Sequence, residues 1–208
     1  FTALNDGLCD KIATAHHLND NTESVLLNVF RGSGLNGLKG ISESSYQNKI
    51  IRPFLKISRE QIDEYALQHN LQYVTDQTNF DSAYTRNFLR NEVLPLVREK
   101  FPEVDTAILR LGEIASETEE YLNNKASAML YSCGDERRVK IPQNYLEELP
   151  VLTRAIIKAL KEVGLEKDYE QIHVNSILAL IENGAGATVN LPHGVSVDCG
   201  YGELIFYK

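Results

Sequence analysis

The 208-residue sequence is 43% hydrophobic and 24% charged, with a formal net charge of −8, which describes a folded protein of one or two domains and excludes disordered and collagen-like classes. No apolar run approaches the ~20 residues that cross a bilayer, no signal-peptide pattern opens the chain, and three scattered cysteines without CxxC spacing suit unlinked thiols in a reducing, cytoplasmic setting. Residues 1–100 carry 11 basic and 12 acidic side chains and residues 101–208 carry 10 and 17, so an anion-binding surface is expected in the first half as a local cluster, not a global field.

In chain order, Phe1–Asp10 reads as the end of a helix and a turn, and part of an α/β domain is expected upstream of it. Lys11–Ala15 is a short apolar run suited to a buried strand, ending at His16 and His17. Asp20 and Glu23 have capping-box spacing, which predicts a helix beginning at Asp20. Val25, Leu26, Val29 and Phe30 would form its apolar face, and Arg31-Gly32 its stop. Strand end, polar turn and helix N-terminus together make the geometry of a ligand crevice in an open α/β sheet.

After a glycine series at 32, 34, 37 and 40, Lys49–Arg52 is a second strand candidate, halted by Pro53. Ser58 and Gln61 form another capping box for a helix reaching Asn70. Leu71–Val74 reads as a third strand, Asp76–Asp81 as a polar loop, and Tyr84–Leu94 as a helix that puts Arg86 and Arg90 on one face before Pro95 ends or kinks it. Pro102 then opens a long helix with an apolar stripe from Val104 to Met129. A turn at Cys133–Glu136, a short strand at Val139–Ile141 and two helices closed by Gly164 and Gly184 follow. The tail alternates apolar and polar residues between two glycine turns, which predicts a small antiparallel meander.

Three constellations stand out. His16, His17, Asp20 and Glu23 gather acids and imidazoles beside the glycine series. They suit holding and deprotonating an amine, although capping alone, at ~1 kcal/mol, accounts for the acids equally well. Arg31 with Gly32 and Gly34 offers a fixed charge and unobstructed backbone N–H groups to a phosphate-like anion, but lacks a Walker ending. Arg86 and Arg90, near Asp76 and Asn79, suit a carboxylate or phosphate; the competing reading is a solvated face with salt bridges worth ~0–1 kcal/mol each. A structural zinc is not expected, because His16 and Asp20 straddle a turn and no distant pair completes four ligands.

Read together, AHHLNDNTES, RGSGLNGLKGI, IIRPFLKISREQI and DQTNFDSAYTRNFLRNEVLP stand in the order and spacing of one family. Over roughly its first hundred residues the chain resembles the tRNA(Ile)-lysidine synthetases, which are PP-loop ATP pyrophosphatases. The resemblance implies part of a parallel-sheet PP-loop nucleotide-binding domain over residues 1–100, a linker helix over 101–133, and a mainly helical substrate-recognition domain with a small β tail over 134–208. It implies an enzyme that uses ATP, with Mg2+, to adenylate the wobble cytidine of tRNA(Ile) bearing a CAU anticodon, after which the amine of free lysine displaces AMP. Asp20 and Glu23 would contact that amine, His16 and His17 would shape the nucleotide site, and Gly32 and Gly34 would border it. Arg31, Asp76, Asn79, Arg86, Asn87 and Arg90 would engage phosphate or substrate. The partners implied are tRNA(Ile) and lysine, with no membrane and with a homodimer as a further expectation. Asn19 and Ser24 stand where the family commonly has Asp and Thr, and its Ser-Gly-Gly-x-Asp-Ser phosphate loop is expected before Phe1, so the chain alone is expected to be inactive. Another PP-loop tRNA modifier such as a thiolase, or a noncatalytic tRNA-binding or scaffolding module, are the alternatives.

Overall fold

The computed structural model describes residues 7, 9–45, 47–73, 85–166 and 170–208. The chain is a mixed α/β protein that divides into two compact units, residues 1–117 and 118–208. Among the described residues no helix is long and apolar enough to cross a membrane.

In the first unit, strand β1 (Ile12–Ala13) leads into helix α1 (Leu18–Phe30), followed by a four-residue helix α2 (Leu35–Leu38) and strands β2 (Ser44–Ser45) and β3 (Ile50–Ile51). The strands form a small mixed sheet in the order β1-β3-β2, in which β1 and β3 run parallel and β2 is antiparallel to β3. The backbone bonds Ile12 N–H to Lys49 O at 2.8 Å and Thr14 N–H to Ile51 O at 2.9 Å set the parallel register. Helix α3 (Arg59–Gln68) follows, capped as its S-x-x-Q spacing predicts: Gln61 N–H donates to Ser58 Oγ, and the Gln61 carboxamide accepts from Ser58 N–H.

Four expectations change or narrow here. Helix α1 begins at Leu18, with His17 as its N-cap, and Asp20 is the third residue whose carboxylate accepts from His17 N–H at 3.1 Å. The box thus sits three residues earlier than the Asp20–Glu23 spacing suggested, which frees Glu23 from capping. The buried side of α1 is also mostly polar: Asn19, Asn21, Thr22 and Glu23 are buried with Leu18 and Val25, whereas Val29 and Phe30 are exposed. Residues 71–73 form no strand, and Val74 lies outside the described residues. Finally, of the two outcomes expected at Pro95, an end or a kink, the structure rules out the end. Helix α4 (Thr85–Phe88) runs through a π-helical turn at Leu89–Val93 into α5 (Leu94–Lys100), with Pro95 in the first turn of α5. Leu94 N–H reaches five residues back to Leu89 O, so the wider turn absorbs a proline that has no N–H to continue an α-helical ladder.

Helix α6 (Val104–Met129) runs from the first unit into the second. The second unit holds β4 (Leu130–Cys133), β5 (Glu136–Lys140), α7 (Leu149–Glu162), α8 (Gln171–Asn183), β6 (Thr188–Asn190), β7 (Ser196–Cys199) and β8 (Glu203–Tyr207). This part is less helical than expected. The tail strands join β4 and β5 in one five-stranded antiparallel sheet, β4-β5-β8-β7-β6, which places the C-terminal strand at its centre. Alternation along β8 turns Leu204 and Phe206 inward, both fully buried beside Val139 and Val197. Leu152, Ile156 and Leu160 of α7 and Ile177 of α8 complete the core, each worth ~1.5–3 kcal/mol of burial.

Candidate active site

The end of β1 delivers His16 and His17 to the N-terminus of α1, and Leu18 N–H is held by Ile57 O at 2.9 Å. His16 Nδ1 lies 2.9 Å from Thr14 Oγ1. His17 Nε2 is 3.4 Å from Asp20 Oδ2, while its Nδ1 is buried with no partner. Burial pushes the His17 imidazole below its ordinary value despite the pull of Asp20 in the other direction, so this ring is neutral at neutral pH.

Glu23 lies one turn along α1 from Asp20, and its side chain is 1% exposed. A carboxylate so placed needs counter-charge, and the segment containing Arg86 and Arg90 provides it. Arg90 Nε donates to Glu23 Oε1 at 2.6 Å, and its terminal Nη2 donates to Glu23 Oε2 and Asp20 Oδ1, each at 2.8 Å. Arg86 Nε donates to Glu23 Oε2 at 2.8 Å, with Nη2 near Asp20 O at 3.3 Å and Ser24 Oγ at 3.4 Å. The hydrogen bond to Glu23 raises Arg90 further above its already high range. Both guanidinium groups nevertheless keep about a third or more of their side chains open, Arg90 34% and Arg86 43%. They form a positively charged surface whose back is fixed on a buried carboxylate.

The other polar residues on α1 hold the surrounding loops. Asn19 Oδ1 accepts Arg59 N–H at 2.9 Å, and Asn21 Oδ1 accepts Ile41 N–H at 2.7 Å. The glycine series divides accordingly. A Cβ on Gly40 would stand 2.1 Å from Asn21 Oδ1, and Gly37 O accepts from Asn28 at 3.0 Å, so these two glycines serve packing. Gly32 and Gly34 are exposed and border open space, beside an exposed Arg31.

The structure therefore brings His17, Asp20, Glu23, Arg86 and Arg90 into one cluster. His16 is the neighbouring residue, Arg31, Gly32 and Gly34 lie at the far end of α1, and Asn87 lies on the same helical segment as the two arginines. Asp76 and Asn79 fall outside the described residues. Sequence reasoning did not anticipate Ser24, nor the buried Thr22 near Asp105. The only available signal was a run of polar residues, 19 to 24, too long for an ordinary amphipathic helix. A separate cavity of about 360 Å³ borders Asn21, Lys39, Glu43, Lys56 and Glu113. It contains none of the clustered residues, and its Lys56 is bridged to Glu43 at 2.9 Å and Glu113 at 3.5 Å.

Among the described residues no group of three His, Cys, Asp or Glu side chains is placed to hold a metal ion. The carboxylates of Asp20 and Glu23, the nearest candidates, are engaged by arginine.

Residues 2–97 match the profile of the PP-loop domain. A tRNA(Ile)-lysidine synthase of Clostridium tetani is 32% identical over 206 residues, covering 96% of this chain and 44% of its own length. That of Chlorobaculum tepidum is 35% identical over 201 residues, 94% of this chain and 60% of its own. That of Haemophilus influenzae strain 86-028NP is 42% identical over 137 residues, 64% of this chain and 32% of its own. The chain thus spans less than half the length of the Clostridium relative.

Proposed function

Residues 2–97 belong to the PP-loop family and the chain as a whole is related to the tRNA(Ile)-lysidine synthases, and from that premise we propose that it forms part of an enzyme joining lysine to the wobble cytidine of a tRNA(Ile) with a CAU anticodon. In this reading ATP transfers AMP to the cytidine with release of pyrophosphate. The lysine amine then attacks the activated ring carbon, and AMP leaves.

The observation that carries the reading is the convergence of two sequence-distant segments, Asp20–Glu23 and Arg86–Arg90, on one half-exposed charged surface. Arg86 and Arg90 suit an anionic partner, a phosphate of the nucleotide or the carboxylate of lysine. Asp20, with 13% of its side chain exposed, is the acid placed to meet an ammonium group and accept its proton as attack begins. Glu23 is buried under both arginines, so we assign it the task of orienting them. A neutral His17, with His16 beside it, borders the nucleotide as hydrogen-bonding rings, and Arg31, Gly32 and Gly34 flank the phosphates. Asn87, Asp76 and Asn79 retain an assignment to substrate contact. Mg2+ would accompany the nucleotide phosphates, since among the described residues no group of three His, Cys, Asp or Glu is placed to hold it by side chains alone.

The test is incorporation of radiolabelled lysine into a tRNA(Ile) transcript with a CAU anticodon, by the full-length protein that carries this chain. Incorporation should require ATP and disappear when the wobble cytidine is replaced by uridine. Asp20→Asn should leave adenylation in place and slow transfer to lysine by at least ~100-fold, the scale of a lost general base. Tight tRNA binding without ATP-dependent incorporation would overturn the reading in favour of a noncatalytic module.

A further inference from the structure

Behind the Arg86–Arg90 pair lies a third arginine–carboxylate contact. Arg98 of α5 donates from Nε to Asp105 Oδ2 at 2.7 Å and from Nη2 to Asp105 Oδ1 at 2.9 Å, a two-pronged bond with both partners mostly buried. Asp105 sits in the first turn of α6 within electrostatic reach of the side chain of Thr22, which is fully buried on α1 beside Glu23 and whose hydroxyl lies 3.4 Å from Leu18 O. Burial alone would lift the Asp105 carboxyl, but Arg98 and Thr22 together outweigh it and hold the group below its ordinary range. Arg98 also lies close enough to Glu23 to feel its charge. Three helices, α1, α5 and α6, therefore meet at Thr22, Arg98 and Asp105.

The π-helical turn explains how Arg98 comes into line. Eight residues of regular α-helix would leave Arg98 about 80° around the axis from Arg90. The extra residue taken up at Leu89–Val93 removes about 100° of rotation and returns Arg98 to within about 20° of the Arg90 direction. Buried Leu89 and Leu94 pack on this stretch, so the rotation is locked by the core.

We propose that Thr22, Arg98 and Asp105 act as a positioning unit that fixes the placement of the Arg86–Arg90 pair over α1. Long arginines pivot, and the contacts to Glu23, Asp20 and Ser24 all lie within the first two turns of α1, so they leave the remainder of the helical segment free to swing about that end. A short bidentate contact two turns away removes that freedom and holds the open guanidinium edges where a substrate anion must sit. The role in turnover rests on the lysine-transferring reading above, whereas the effect on arginine mobility does not.

The test uses Asp105→Asn, Thr22→Val and the conservative Asp105→Glu in the full-length protein. Lysidine formation is followed well below the melting temperature, and exchange of the Arg86 and Arg90 Nε–H protons is followed by 15N NMR without substrate. Asp105→Asn and Thr22→Val should each lower kcat about tenfold or more with KM for ATP within about twofold, as expected for misplaced groups. Arg90 Nε–H exchange should be about tenfold faster in both, and Asp105→Glu should restore part of each effect. A lowered melting temperature with kcat and exchange both unchanged would mean a structural contact only and would overturn the proposal. If the wild-type protein forms no lysidine, the functional reading fails, while the exchange measurement still decides the positioning role.

Discussion

Arg90 and Glu23, 67 residues apart, meet through both oxygens of the carboxylate: Nε donates to one at 2.6 Å and Nη2 to the other at 2.8 Å. The pair is asymmetric, because the glutamate side chain is 1% exposed and the arginine side chain 34%. Water reaches the cation but not the anion. Glu23 therefore depends on its arginines, while each arginine has an alternative in solvent.

This asymmetry sets an order among substitutions. Glu23→Gln keeps the volume but removes the charge that both guanidinium groups face, and should destabilise the first unit by ~2–4 kcal/mol, discounted for the exposure of the arginines. Arg86→Ala leaves Glu23 still gripped by Arg90 and should cost ~1 kcal/mol. Urea unfolding of the two variants measures both, and an Arg86 variant less stable than the Glu23 variant would contradict the order.

His17 carries a pH dependence of definite sign. Burial, its largest influence, keeps the folded ring below the ordinary value of about 6.5, so between the two values the unfolded chain binds a proton that the folded protein refuses. Stability from this group is therefore present above pH ~6.5 and lost as pH falls toward the folded value. Replacing His17 with Asn should flatten the dependence of urea stability on pH between 7.5 and 5 relative to wild type. Equal slopes for the two proteins would show that His17 titrates alike folded and unfolded.

What the sequence reveals here depends on how local the cause is. The Ser58–Gln61 cap is read correctly because its two partners lie within one turn. The start of α1 is misread because His17, a weak N-cap signal, takes the place that Asp20 would ordinarily fill. Spacing shows that Arg86 and Arg90 share a face, but nothing local says that the face closes on Glu23, 63 and 67 residues earlier. Pro95 announces a disturbance without saying whether the helix stops or widens; buried Leu89 and Leu94 decide that, through tertiary packing. The five-stranded sheet is hidden for the same reason. β5 looks like an isolated short strand and the tail like a separate meander until β5 pairs with β8 across the two helices between them.

That pairing makes Phe206 a sensitive position. It sits fully buried on the central strand, opposite Arg137 on one side and Val197 on the other. Phe206→Ala should cost ~3–5 kcal/mol through lost burial and the remaining cavity, whereas Tyr201, fully exposed in the preceding turn, should tolerate alanine within ~0.5 kcal/mol. Thermal unfolding of the two variants distinguishes them, and comparable losses would place Phe206 outside the core.

The glycine series separates by the same kind of argument. Gly40 has φ +68° and its missing Cβ would lie 2.1 Å from Asn21 Oδ1, the oxygen that accepts Ile41 N–H. Alanine there must strain the backbone and dislodge a buried carboxamide, so Gly40→Ala should cost ~3 kcal/mol or more, summing the backbone and overpacking penalties. Gly32, at φ +74° but in open space, should lose only the backbone preference, ~1 kcal/mol. Gly34 has φ −74° with nothing near its missing Cβ, and Gly34→Ala should be close to neutral for folding. Any loss of ATP-dependent turnover in Gly34→Ala without loss of urea stability then reports contact with the nucleotide. Full activity in that variant would remove Gly34 from the nucleotide border and leave the charged cluster of α1 as the site's center.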